Sequence, residues 1–231
     1  MRTTLSTLLL SFPLLAQAAG FADCPQFFPF RPPVVAGHHL RELCFSEFAV
    51  LHSGQTRTPV YVAQRLDAVT LQQAKSLQRF DKFYADARLP RSERAELADY
   101  KGSGWSRGHM APAGDMGTFD GKAQSFSLAN IAPQDRQHNA GAWTKIEKDT
   151  RRYIERAQGN VFVFTGPIYS QAPETIGASR VAVPTAFFKL VYDAATRHSW
   201  AHIQNNSSDA RPGKPVGYSD FVQRTGLRLL D

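Results

Sequence analysis

Along the chain, apolar residues cluster in short runs or alternate with polar ones, and each pattern predicts an element. Residues 45–51 and 59–66 read as two strands around the turn residues Ser53 and Gly54. An apolar run at 161–165, just after Gly159, suits a buried strand. Residues 187–192 and 199–204 read as a hairpin that turns near 194–197. The helical period is clearest over 137–158, where Trp143, Ile146, Tyr153 and Ala157 share a stripe and Gly159 supplies the stop. A short helix is expected at 221–225, ended by Gly226. Residues 70–99 are polar and weakly periodic, and read as loops and short helices. No repeat or low-complexity linker divides the chain, so one α+β domain over 45–231 is expected.

The start of the chain follows other rules. Arg2 precedes a mostly apolar stretch at 5–15, and Ala16-Gln17-Ala18 has the small-x-small pattern of a cleavage site. About 11 apolar residues are too few for a membrane span, which needs roughly 20. Residues 1–19 therefore read as a signal peptide, and the expected location is secreted or periplasmic. In an oxidising setting Cys24 and Cys44 should pair. Closing their loop of roughly 20 residues contributes about 3 kcal/mol through the unfolded chain. Residues 20–44 form an extended, Pro-rich segment, and its stretch 25–33 should run over the surface.

Composition narrows the function classes. With 42% hydrophobic and 20% charged residues among 231, a packed core is available and wholesale disorder is excluded. The formal charge is +7, from 27 basic and 20 acidic residues. Loss of the leader removes one Arg and no acid, leaving +6. That sign favours polyanionic partners, nucleic acid or anionic lipid. Two cysteines are too few for a zinc site built from thiolates alone.

Candidate chemistry concentrates between Trp105 and Arg152. Gly104-Trp105-Ser106-Arg107-Gly108 matches the G-x-S-x-G elbow of serine hydrolases, with Ser106 as nucleophile. That motif needs a strand before it and a helix after it, whereas Pro112 and Gly114 oppose a helix here. On the 137–158 helix, eight positions separate Asn139 from Glu147, a rotation of about 80° and an axial rise of about 12 Å. They share one side, yet only one of them can touch a given ion directly. Glu147 and Arg151 also form an i,i+4 pair that a solvated face would explain. His198 and His202 would sit about 13 Å apart on a strand, too far for a shared zinc. His38, His39, His52 and His138 have no ligand-like company, and Tyr169 and Trp200 read as packing residues.

The series Arg107-Gly108-His109, Pro112, Asp115, Asn130, Pro133, Gln134, Asn139, Trp143 and Glu147 resembles the non-specific DNA/RNA endonucleases with a ββα-metal site. That family includes the Serratia-type nucleases and mitochondrial endonuclease G. Thr165-Gly166-Pro167, residues 183–189 and Thr225-Gly226-Leu227 look like further landmarks, so the resemblance covers roughly 43–229. It implies a mainly antiparallel central sheet with flanking helices and a ββα-metal motif. By position, His109 matches the general base, Asn139 the direct magnesium ligand and Glu147 the acid that holds the metal's waters. Arg107 matches the motif arginine, Arg151 an arginine near the phosphate, and Asn130 a supporting asparagine. Arg79 matches the family's upstream arginine across a variable loop. The family usually has Asp before Arg-Gly-His, and this chain has Ser106.

These residue types suit phosphodiester hydrolysis. A hard cation stabilises charge on the phosphate oxygens, and magnesium accepts a small set of oxygen ligands plus waters. An imidazole, with an ordinary pKa of about 6.5, takes a proton from water at neutral pH. Arginines clamp non-bridging oxygens. The resemblance thus implies a Mg2+-dependent enzyme (Mn2+ or another divalent cation being the alternative) that cuts DNA and RNA and leaves 5′-phosphates. A catalytically inactive, basic nucleic-acid-binding protein is the alternative function. The sequence leaves open a homodimer and an inhibitor protein as partners.

Overall fold

The structure, a computed structural model, describes residues 20–78 and 81–231; the expected signal peptide and Arg79 lie outside the described residues. Six strands form the central sheet: β1 (Leu40–Cys44), β2 (Ala49–Ser53), β3 (Thr58–Leu66), β6 (Val161–Ile168), β9 (Ala186–Asp193) and β10 (His198–Asn205), in the order β1-β2-β3-β6-β9-β10. Every neighbouring pair is antiparallel. Two ribbons lie outside it, β4 (Ser106–His109) with β5 (Ile131–Gln134), and β7 (Thr175–Ile176) with β8 (Val181–Ala182). The helices are α1 (Ala68–Ser76), α2 (Leu97–Tyr100), α3 (Phe119–Gln124), α4 (Arg136–His138), α5 (Thr144–Ile154) and α6 (Tyr218–Thr225). The α+β architecture with a central antiparallel sheet is the expected one.

Strand alternation divides the core into two layers. On one face Tyr61, Phe164, Phe188 and Leu190 pack with Phe21, Phe27, Phe28 and Phe221. On the other, Val50, Val62 and Phe187 meet Met110, Trp143 and Ile146, and Val163 and Val191 meet Ile154. Successive residues such as Phe187 and Phe188 therefore serve opposite layers. The second face carries the β4–β5 ribbon and α5.

Three local expectations are corrected. Residues 45–51 are not one strand: the chain reverses between β1 and β2, where Phe45 N donates to the Phe48 carbonyl and the two rings stack 4.3 Å apart. Residues 25–33 do not simply run over the surface. Single helical turns at Phe21–Asp23 and Pro25–Phe27 plant Phe21, Phe27 and Phe28 on the sheet, because burying each large ring is worth about 1.5–3 kcal/mol. The Cys24–Cys44 disulfide ties this segment to β1. The third correction concerns the long helix, which ends at Ile154 rather than at 158. Its tail tightens into turns (Arg156 N to Tyr153 O, Ala157 N to Ile154 O) before Gly159 at φ 101°. Gly226, by contrast, caps α6 in the left-handed region at φ 71°, as the sequence suggested.

Candidate active site

The ribbon aims the motif. In its register His109 faces Ile131, Gly108 faces Ala132, Arg107 faces Pro133 and Ser106 faces Gln134. Alternation puts Arg107 and His109 on one side and Ser106 and Gly108 on the other. A cavity of about 310 Å³ is lined by Arg107 and His109 but not by Ser106. Since Ser106 opens a strand that no helix follows directly, the nucleophile-elbow reading fails on geometry. Gly108 has a separate reason. A Cβ there would lie 2.7 Å from Gln134 Cβ, nearer still to its amide oxygen, so the side chain of β5 occupies that space.

Only Asp135 separates β5 from the helix that carries Asn139, and its carboxylate caps the backbone N–H groups of Gln137 and His138 at 2.9 Å. Between α4 and α5 the chain makes a π turn at Asn139–Trp143, with the Thr144 hydroxyl closing on the Asn139 carbonyl at 2.7 Å. Such a turn inserts one residue. Eight positions then rotate about as far as seven in a plain helix, about 700°, within about 20° of two full turns. Asn139 and Glu147 thus come onto one side and line the same cavity as His109, with Arg151 one turn further on. Sequence reasoning assumed a plain helix, which already put the two on one side about 80° apart; the π turn narrows that angle to about 20°.

Buried polar groups brace the arrangement. Asn130 is fully buried and does not reach the cavity. Its carboxamide binds Ala111 N and O at 2.9 Å and Ser125 O at 2.8 Å, fixing the chain just past His109. Behind Asn139, Gln134 Nε2 meets His138 Nδ1 at 3.1 Å and His138 Nε2 meets Gln204 Oε1 at 3.2 Å. This pattern fits a neutral ring, and burial pushes its pKa down. Lys189 on β9 lies under the helix, 1% exposed, donating to Thr165 Oγ1 at 2.8 Å and 5.6 Å from the Trp143 ring centroid. Burial lowers its pKa, and the charges of Glu147 and Asp115 oppose that.

Sequence reasoning also missed Phe83, which lies in a mostly polar stretch without periodicity. Its ring lies 4.3 Å beneath the Arg107 guanidinium and 5.4 Å from the His109 ring, which in turn meets Phe126 edge-on at 5.0 Å. Aromatic walls therefore orient both groups. Arg151 donates from Nη1 to Asp115 Oδ1 at 2.8 Å. Burial lowers the Arg151 pKa, but Asp115 and then Glu147 outweigh it and the net shift is upward.

The donor set fits a hard divalent cation. Asn139 and Glu147 offer oxygen, and among the described residues no group of three or more His, Cys, Asp or Glu forms an all-protein cage. Magnesium, which keeps several waters, suits so sparse a set better than zinc does. A larger hollow of about 460 Å³ beside β1 brings no imidazole or carboxamide together, so size alone does not choose the site.

Residues 31–221 match the family model of the DNA/RNA non-specific endonucleases. The chain belongs to that family. It is 33% identical over 201 residues to the mitochondrial nuclease EXOG of Danio rerio, covering 79% of this chain and 55% of that protein. It is also 33% identical over 203 residues to nuclease C1 of Cunninghamella echinulata, covering 80% of each. The EndoG/EndoGI complex, solved to explain EndoG inhibition, contains a chain that matches with TM-score 0.74 at 28% identity, covering 94% of this chain and 93% of that one. The chain spans about half the length of the EXOG relatives it matches. These endonucleases correct one expectation. EXOG and endonuclease G relatives from fish, frog, human and cattle, and nuclease 1 of fission yeast, are mitochondrial, which points to a mitochondrial rather than a secreted or periplasmic setting. An apolar leader marks a targeting segment by composition, whereas its address is read by a receptor. Among the described residues no helix is long and apolar enough to cross a membrane.

Proposed function

We propose that this chain is a Mg2+-dependent endonuclease that hydrolyses phosphodiester bonds in both DNA and RNA and leaves 5′-phosphate ends. What carries the reading is the convergence of His109, Asn139, Glu147 and two arginines on one cavity. The His109 imidazole accepts a proton from the attacking water. Arg107 and Arg151 bind the non-bridging phosphate oxygens and favour the more negative transition state. Asn139 would hold the cation through its carboxamide oxygen, and Glu147 would act on it through water. When bound, the ion supplies Lewis-acid stabilisation of the charge that develops on the phosphate. The groups named act on the phosphate, which DNA and RNA share, and this supports activity on both. The +7 charge adds salt-sensitive attraction to the backbone.

The test incubates wild type and His109→Ala with supercoiled plasmid and with RNA, with and without Mg2+. Wild type should degrade both only with the cation, and His109→Ala should leave both intact at an unchanged circular dichroism spectrum. Equal degradation by the two proteins would refute the assigned base, and full cleavage in excess EDTA would refute the metal.

A further inference from the structure

We infer that Asp115 is a positioning residue of this site: its carboxylate fixes the Arg151 guanidinium against the cavity wall so that the rest of the fork meets the phosphate. The inference rests on the proposed contact of Arg151 with phosphate and extends it to a residue outside the cavity.

Three observations converge. Asp115 is 5% exposed and stands behind the wall, while its neighbours Pro112, Ala113 and Gly114 line the cavity itself. Arg151 reaches from α5 across that wall; its Nη1 bonds Asp115 Oδ1 at 2.8 Å and would lie 3.6 Å from a Cβ placed on Gly114. The guanidinium therefore passes close to Gly114, with its Nη1 engaged by Asp115. Finally, the backbone that carries Asp115 is anchored close to His109. Asn130 clamps Ala111, and Asp115 N closes the turn Ala113–Asp115 onto the Pro112 carbonyl at 2.9 Å.

The ion pair thus fastens an arginine on the helix to the same short segment that follows the imidazole. A free arginine samples many rotamers, and holding it in advance removes that loss from the reaction step. A buried carboxylate is costly without its partner, so Asp115 and Arg151 should act as one unit.

A double-mutant cycle tests this with Asp115→Asn, Arg151→Gln and the double variant. The readouts are kcat and KM on a fluorogenic oligonucleotide, and binding of a labelled oligonucleotide in EDTA. Asp115→Asn should lower kcat/KM by about 10- to 100-fold, the scale of a misplaced catalytic group. It should also weaken binding in EDTA, and it should add less than about twofold on the Arg151→Gln background. Wild-type kinetics in Asp115→Asn, or losses that multiply in the double variant, would overturn the inference. Should Asp115→Asn fail to fold, Asp115→Glu, which retains the charge, enters the same cycle. Wild-type kinetics in Arg151→Gln would instead overturn the phosphate role on which the inference rests, so the two failures are distinguishable.

Discussion

Replacing Gly108 by Ala isolates the contact that sets the spacing of the β4–β5 ribbon. Gly108 is not among the positive-φ glycines, so the backbone would accept alanine and the penalty is purely steric. The new methyl would stand 2.7 Å from Gln134 Cβ and 3.0 Å from its Cδ, where carbon atoms normally keep about 3.5–4.0 Å. Relief has two routes. Either β4 moves away from β5 beside His109, or the buried Gln134 amide swings and gives up its 3.1 Å bond to His138. Overpacking costs about 1–3 kcal/mol, and an orphaned buried amide costs a similar amount, so about 2–3 kcal/mol of stability should be lost. Urea unfolding with an unchanged m-value measures the loss, and oligonucleotide cleavage should fall more than about tenfold because His109 moves. The cost of Gly108→Ala should shrink below about 0.5 kcal/mol when Gln134 is already glycine, because alanine there would keep the Cβ that stands 2.7 Å away. An equal cost on both backgrounds would show that the Gln134 side chain is not the obstacle.

Three further outcomes follow from the geometry. Asn139→Ala should abolish Mn2+ binding seen by electron paramagnetic resonance together with cleavage, while unfolding stays cooperative; retained stoichiometric binding would remove Asn139 from the ligand set. His52 is fully buried, its Nε2 bonds the Glu93 carbonyl at 2.8 Å and its Nδ1 is buried without a partner, so burial depresses its pKa to about 4. The unfolded chain then binds more protons between pH 6.5 and 4, so stability present above pH 6.5 should be lost across that window, by about 3 kcal/mol. Glu93, held down to about 2 chiefly by its bond to Arg41, keeps its charge there, and His52→Gln should flatten the slope in urea midpoints between pH 7 and pH 4. Replacing Cys24 and Cys44 by Ser should remove about 3 kcal/mol and lower Tm by about 6–12 °C in calorimetry; an unchanged Tm would mean that the aromatic anchors hold the segment alone.

The parts of the site that were legible in the sequence are those whose chemistry is specific and whose spacing is local. His109, Asn139, Glu147 and Arg151 fall within one strand–strand–helix unit, and a period of 3.6 already puts three of them on one side. What stayed hidden depends on contacts across the fold. Phe83 reaches the cavity from a polar stretch, and nothing near it announces that Arg107 and His109 will stack on its ring. Asp115 was visible as a motif residue, but its partner Arg151 arrives from another element. The strands β4 and β5 were missed because four residues containing Gly108 or Pro133 show no period-2 pattern. The stacked Phe45 and Phe48 imitate a continuing strand while forming a reversal.

The π turn has a consequence for the sequences that share this ancestry. Gly141 is exposed, and a Cβ on it would meet nothing within 4 Å, so the side chain there can drift freely, whereas Ala140 lines the cavity. Loss of a single residue between Asn139 and Trp143 would leave seven positions of plain helix, about the same 700° of rotation, so the turn can close into an α-helix with the carboxamide and Glu147 still on one side. Aligned descendants should therefore tolerate a one-residue gap within this turn, whereas a gap elsewhere in α5 would rotate one part of the site against the other.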